Sequence, residues 1–145
     1  MSKVDTFLTR EEEQSIVDAI LVAERNTSGE IRVHIEARSP IDAFSRAQQL
    51  FHYLKMDNTK DRNGVLIYVA VEDHCFVIYG DSGIDQVVPK DFWESTKEVM
   101  EAHFKRGEFK EGIIAGVLKA GEELQKHFPW EHGDQNELSD EISRG

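Results

Sequence analysis

Cysteine is almost missing from this chain. Cys75 stands alone among 145 residues, which excludes an internal disulfide framework and any cysteine-based zinc finger. A lone thiol suits a reducing compartment, and a cytoplasmic setting is expected. Long apolar runs are missing too. The longest, residues 65–71, has seven members, far fewer than the roughly 20 a membrane-spanning helix requires. No apolar segment follows the polar start, so no secretory signal is expected. Basic residues are in deficit: 17 Lys and Arg against 28 Asp and Glu leave a net charge of −11. That deficit argues against nucleic acid, whose phosphates need surplus cations, and against an anionic membrane surface. It favours cations as partners. No HExxH spacing joins any of the six histidines, and no glycine-rich loop ending in Lys offers a phosphate cradle.

What is present is one domain's worth of chain, long enough to bury a proper core. Thr9 and Glu12 form a capping box, and Ile16, Val17, Ile20, Leu21 and Ala23 then recur at helical spacing to about residue 25. Residues 30–37 alternate, with Ile31, Val33, Ile35 and Ala37 against Glu30, Arg32, His34 and Glu36, as a strand with one apolar face does. Ser39 as N-cap and Pro40 as first helical residue predict a second helix carrying Phe44, Ala47, Leu50, Phe51 and Leu54. Residues 65–71 are apolar on both faces and read as a central strand. Glu72-Asp73 turns the chain into a third strand at 75–79, its hairpin partner. After a loop at 80–85, Pro89 opens a helix with Phe92, Trp93, Met100 and Phe104. Gly107 ends it, and a last helix runs over 109–127. In that helix Gly112, Gly116 and Ala120 form a small-residue stripe suited to close packing.

Strand, crossover helix and strand make a right-handed βαβ unit with parallel strands, and the third strand runs antiparallel to the second. The expected fold is α/β: a three-layer α/β/α sandwich around a small mixed β-sheet. The domain covers 7–127. The remainder, 128–145, reads as an exposed or loosely docked acidic tail, with five acidic residues and one Arg from 131 onward.

This topology gathers three loops at one sheet edge: the N-terminal ends of the two parallel strands and the C-terminal end of the third. Glu30, Asp57, Asp61, Asn63, Asp81 and Asp85 lie in or beside those loops. Gathered carboxylates repel one another unless a cation neutralises them, and hard divalent ions accept such all-oxygen ligands. The expectation is a divalent-cation site, Ca²⁺ before Zn²⁺ because no nitrogen or sulfur ligand is offered, with Mg²⁺ as the other hard candidate. Turn formation alone also accounts for Asp, Asn, Ser and Gly at such positions.

Other motifs dissolve on inspection. Gly80-Asp81-Ser82-Gly83 matches the tetrapeptide around a serine-protease nucleophile, but that chemistry needs a larger double barrel with its own His and Asp. Thr59, Asp61, Asn63 and Gly64 fall on the EF-hand register, yet Thr59 replaces the first Asp and Ala70 the final Glu.

Ser28-Gly29-Glu30-Ile31-Arg32-Val33, Asn63-Gly64-Val65-Leu66-Ile67 and Ile78-Tyr79-Gly80-Asp81-Ser82-Gly83-Ile84, in that order, resemble the TPM domain. The resemblance spans about residues 7–127 and implies an α/β/α sandwich. It further implies binding of divalent cations, notably calcium, and in some members a weak acid phosphatase activity or a part in assembly or repair. Gly29, Glu30, Asn63 and Gly64 fall on the family's positions, while its Gly-x-Gly is spaced here as Gly80-Asp81-Ser82-Gly83. The chain resembles a stand-alone, soluble bacterial version. Three functions are open at this point: a cation-binding domain at the acidic edge, a non-catalytic module that docks a protein partner, and a metal-assisted phosphatase with Ser82 and Arg62 nearby.

Overall fold

The structure is a computed structural model that describes residues 8–59, 61–129 and 142–144. Its elements in chain order are α1 (Arg10–Glu24), β1 (Glu30–Glu36), α2 (Ala43–Tyr53), β2 (Gly64–Ala70), β3 (Cys75–Gly80), α3 (Ser82–Asp85), α4 (Glu94–Lys105), α5 (Phe109–Gln125) and β4 (Ser143–Arg144). The strand order is β3-β2-β1-β4. β1 and β2 are parallel, from Glu30 beside Gly64 to Glu36 beside Ala70. β3 is antiparallel to β2, with Gly80 beside Val65 and Cys75 beside Ala70. This is the α/β/α sandwich.

The sheet separates two cores. One face carries Ile31, Val33, Ile35, Val65, Ile67, Val69 and Ile78 against α1, α4 and α5. The other carries Leu66, Tyr68 and Ala70 against Ala47, Leu50 and Phe51 of α2, with Met56 behind them. β2 is buried along its whole length, which is why its residues are apolar on both faces.

Local chemistry sets the ends of the elements. Thr9 N–H donates to Glu12 Oε1 at 3.0 Å and Glu12 N–H to Thr9 Oγ1 at 3.1 Å, a reciprocal cap of about 1 kcal/mol. α2 starts later than Ser39-Pro40 suggests. Asp42 is its N-cap, accepting from Ser45 N–H at 2.9 Å, while the Ser39 hydroxyl is spent on Ile41 O and its N–H on Asp73. The α4 helix also starts past Pro89, at Glu94. Gly107, at φ +75°, turns the chain out of α4 in the left-handed region that glycine enters freely. The stripe on α5 does pack closely: a Cβ at Gly116 would lie 2.5 Å from Met100 Sδ, and one at Gly112 2.5 Å from the Phe104 ring.

Of the expected acidic tail, residues 130–141 lie outside the described residues. Ser143 and Arg144 add a short parallel edge strand beside His34 and Ile35. No helix among the described residues is long and apolar enough to cross a membrane.

Candidate functional site

The three loops meet as the strand order requires. Glu30 N–H donates to Asn63 O at 3.3 Å, Asp81 N–H to Gly64 O at 3.0 Å, and Gly83 N–H to Arg62 O at 2.9 Å. Asn63 Nδ2 donates to Ser28 Oγ at 3.2 Å. Gly83 sits so close to the other loop that a Cβ there would stand 2.3 Å from Asp61 O and 2.5 Å from Arg62 O. No alanine fits without parting two backbones. Arg62 itself is held at φ +52°, a left-handed conformation that costs a non-glycine side chain about 1 kcal/mol or more.

The sequence-derived residues fare differently within this rim. Glu30, Asn63 and Asp81 are buried. Asp81 turns what reads as a plain loop into one helical turn: its Oδ1 accepts from Ser82 N–H at 2.7 Å as the N-cap of α3. Asp61 and Asp85 are exposed, and Asp57 Oδ2 pairs with His52 Nδ1 at 3.1 Å. The loops converge, but their carboxylates divide between buried and exposed positions. Among the described residues no three His, Cys, Asp or Glu side chains stand together closely enough to hold a metal ion.

What the rim does hold is a set of buried oxygens with nothing bonded to them. Asn63 Oδ1, Asp81 Oδ2 and Thr59 Oγ1 have no hydrogen-bond partner among the described residues, and their residues are 1%, 7% and 7% exposed. A buried acceptor left unpaired costs roughly 1–3 kcal/mol, so native structures seldom keep several on three converging loops. Buried polar atoms in this condition also occur away from the rim, among them Arg32 Nε on β1 and Thr96 Oγ1 on α4. Thr59 was legible in the sequence only through the broken EF-hand register. Its burial, which makes its hydroxyl matter, comes from the fold. Exposed as it is, Asp85 adds an electrostatic sign: local desolvation, and then the neighbouring charge of Asp81, push its carboxyl above the usual value.

A second polar cluster lies on the α2 face, around a strand side that the alternation presents as merely polar. Glu36 is 5% exposed. Arg46 Nε donates to its Oε2 at 2.8 Å and an Arg46 terminal nitrogen to its Oε1 at 2.9 Å. The Tyr68 hydroxyl donates to Oε2 as well. Burial pushes the Glu36 carboxyl up, but its bonds to Arg46 and Tyr68 outweigh that and hold it below its ordinary value. His34, 3% exposed, lies 3.5 Å from Glu36 by Nε2 and 2.9 Å from Ser143 Oγ by Nδ1. Burial lowers its pKa against the opposing pull of Glu36.

Comparison with known proteins places this arrangement. The TPM domain family matches residues 2–123. The chain belongs to the TPM domain family. The solution structure of the BA42 protein from the psychrophilic bacterium Bizionia argentinensis is similar over 100% of both chains, at 60% identity and a TM-score of 0.93. The N-terminal domain of a P. gingivalis protein shares the fold at 20% identity, over 87% of this chain and 83% of that one, with a TM-score of 0.70. No curated protein matches the chain.

Proposed function

We propose that this TPM domain binds a divalent cation at the three-loop rim, Ca²⁺ first and Mg²⁺ second. The observation that carries the reading is the trio of buried, unpartnered oxygens on Thr59, Asn63 and Asp81. The donor set suits a hard ion: an amide oxygen, a hydroxyl and a carboxylate, with the Asp61 and Arg62 carbonyls crowded against Gly83 nearby. Glu30, Asp61 and Asp85 line the same rim and add negative potential, and Asp57 contributes at longer range. With one buried carboxylate among the unpartnered donors, the affinity expected is weak, with a Kd of about 0.1–1 mM. Zn²⁺ is disfavoured by the absence of nitrogen and sulfur donors.

Calorimetric titration of the full chain with CaCl₂, on the natural sequence and on Asp81→Asn, tests the reading. The substitution keeps the Oδ1 cap of α3 and removes the charge. One-site binding that weakens at least ten-fold in the variant supports the proposal. Equal heats from both proteins, or none from either, overturn it.

A further inference from the structure

At the far end of the sheet, beside the β2–β3 hairpin and away from the rim, a cleft of about 620 Å³ opens between the hairpin and the α4–α5 pair. Its wall is apolar: Val69, Phe76, Phe104 and Phe109 line it. Phe76 and Phe104 meet edge to face at 5.3 Å, and Phe104 and Phe109 tilt together at 5.9 Å. The volume falls within the roughly 300–1,000 Å³ of small-molecule sites, which are mostly apolar with a few charged groups fixing orientation. The charged groups here are Lys97, Lys105 and Glu101, with His74 beside them. Lys97 lies 3.9 Å from Glu94, whereas Lys105 has no ion-pair partner among the described residues. Two lysines against one glutamate give this hollow a local positive balance despite the acidic chain, and that balance is complementary to a ligand with an anionic end and a greasy body.

We propose that this cleft binds a medium-chain alkyl carboxylate, with its chain against the three phenylalanines and its carboxylate at Lys105. A free ligand is favoured over a bilayer because the acidic chain is repelled by anionic membranes. The test is a titration of the full ¹⁵N-labelled chain with octanoate in calcium-free buffer, followed by amide shifts. Saturable shifts confined to residues 69–76 and 97–109 are expected. Affinity rises about four-fold per methylene from hexanoate to decanoate. Lys105→Glu, an exposed change whose other amide signals stay in place, weakens octanoate about five-fold. Octanol and octylamine bind more weakly than octanoate. Absence of shifts at millimolar octanoate overturns the proposal. So does octylamine binding as tightly as octanoate, or the same shifts arising on concentrating the protein alone, which would make the cleft a contact between two copies. None of these outcomes bears on the calcium rim.

Discussion

Glu36 and Asp81 are both buried carboxylates at the margins of one small sheet, and they are housed differently. Both oxygens of Glu36 are engaged, by Arg46, Tyr68 and His34. Asp81 has one oxygen on a helix cap and the other without a hydrogen-bond partner among the described residues, as are an amide oxygen and a hydroxyl of the adjoining loop. A charge closed on its own partners stabilises one arrangement and has nothing left to offer a ligand. An open one is costly in the free protein, and the cost is recovered only when something binds. On this contrast the α2-face cluster serves structure, and the rim is the place where we propose a ligand.

The largest effect that separates the two is at the closed cluster. Arg46→Ala leaves Glu36 buried without its main partner and costs about 3–5 kcal/mol, measured by urea unfolding. It leaves calcium affinity unchanged, and a parallel loss of calcium binding would blur the contrast. Next comes linkage at the open site: calcium at about 100 times its Kd stabilises the natural protein by about 2.7 kcal/mol and leaves Asp81→Asn nearly unmoved. Gly83→Ala, which drives a methyl into the Asp61 and Arg62 carbonyls, costs about 1–3 kcal/mol without metal and weakens calcium as well.

Smaller effects follow from protonation. His34 titrates below its ordinary 6.5 in the folded state. Its contribution to stability is complete above 6.5 and is lost as pH falls from there through the depressed folded value. Glu36, held below 4.5, adds a further loss below that pH by the same sign. His34→Gln flattens the upper part of that decline in a series of unfolding curves. At the rim the sign reverses, because the Asp85 carboxyl is raised. Asp85→Asn relieves its repulsion with Asp81 and raises the calcium-free melting temperature slightly, while weakening calcium. A melting temperature that drops instead would mean Asp85 is a turn former only.

Much of this molecule could be read from its residues. The capping box at Thr9, the buried run that becomes β2, the hairpin through Glu72-Asp73 and the stop at Gly107 all follow from local rules, and the β3-β2-β1 order follows from the βαβ unit and the hairpin, whereas β4 falls in what reads as a tail. The meeting of three loops followed in turn. What stayed hidden depends on the third dimension. Alternation presents Glu36 and His34 as polar-face residues, because only the fold brings Arg46 from α2 and Ser143 from a strand over a hundred residues away. Ser39-Pro40 has helix-start chemistry, but Asp73 captures the Ser39 N–H and the start passes to Asp42. Charge counting pointed to the carboxylates of the rim. Burial moves the emphasis to Thr59 and Asn63, whose oxygens a count of charges does not register.

The account is tested most directly by recording backbone amide and side-chain carboxyl resonances of the intact protein as CaCl₂ is added. It predicts fast-exchange shifts concentrated at residues 59–63 and 81–85, with the Asp81 carboxyl among the largest and the Glu36 carboxyl still. Shifts scattered over the acidic surface without saturation, or a moving Glu36 beside a static Asp81, would contradict it.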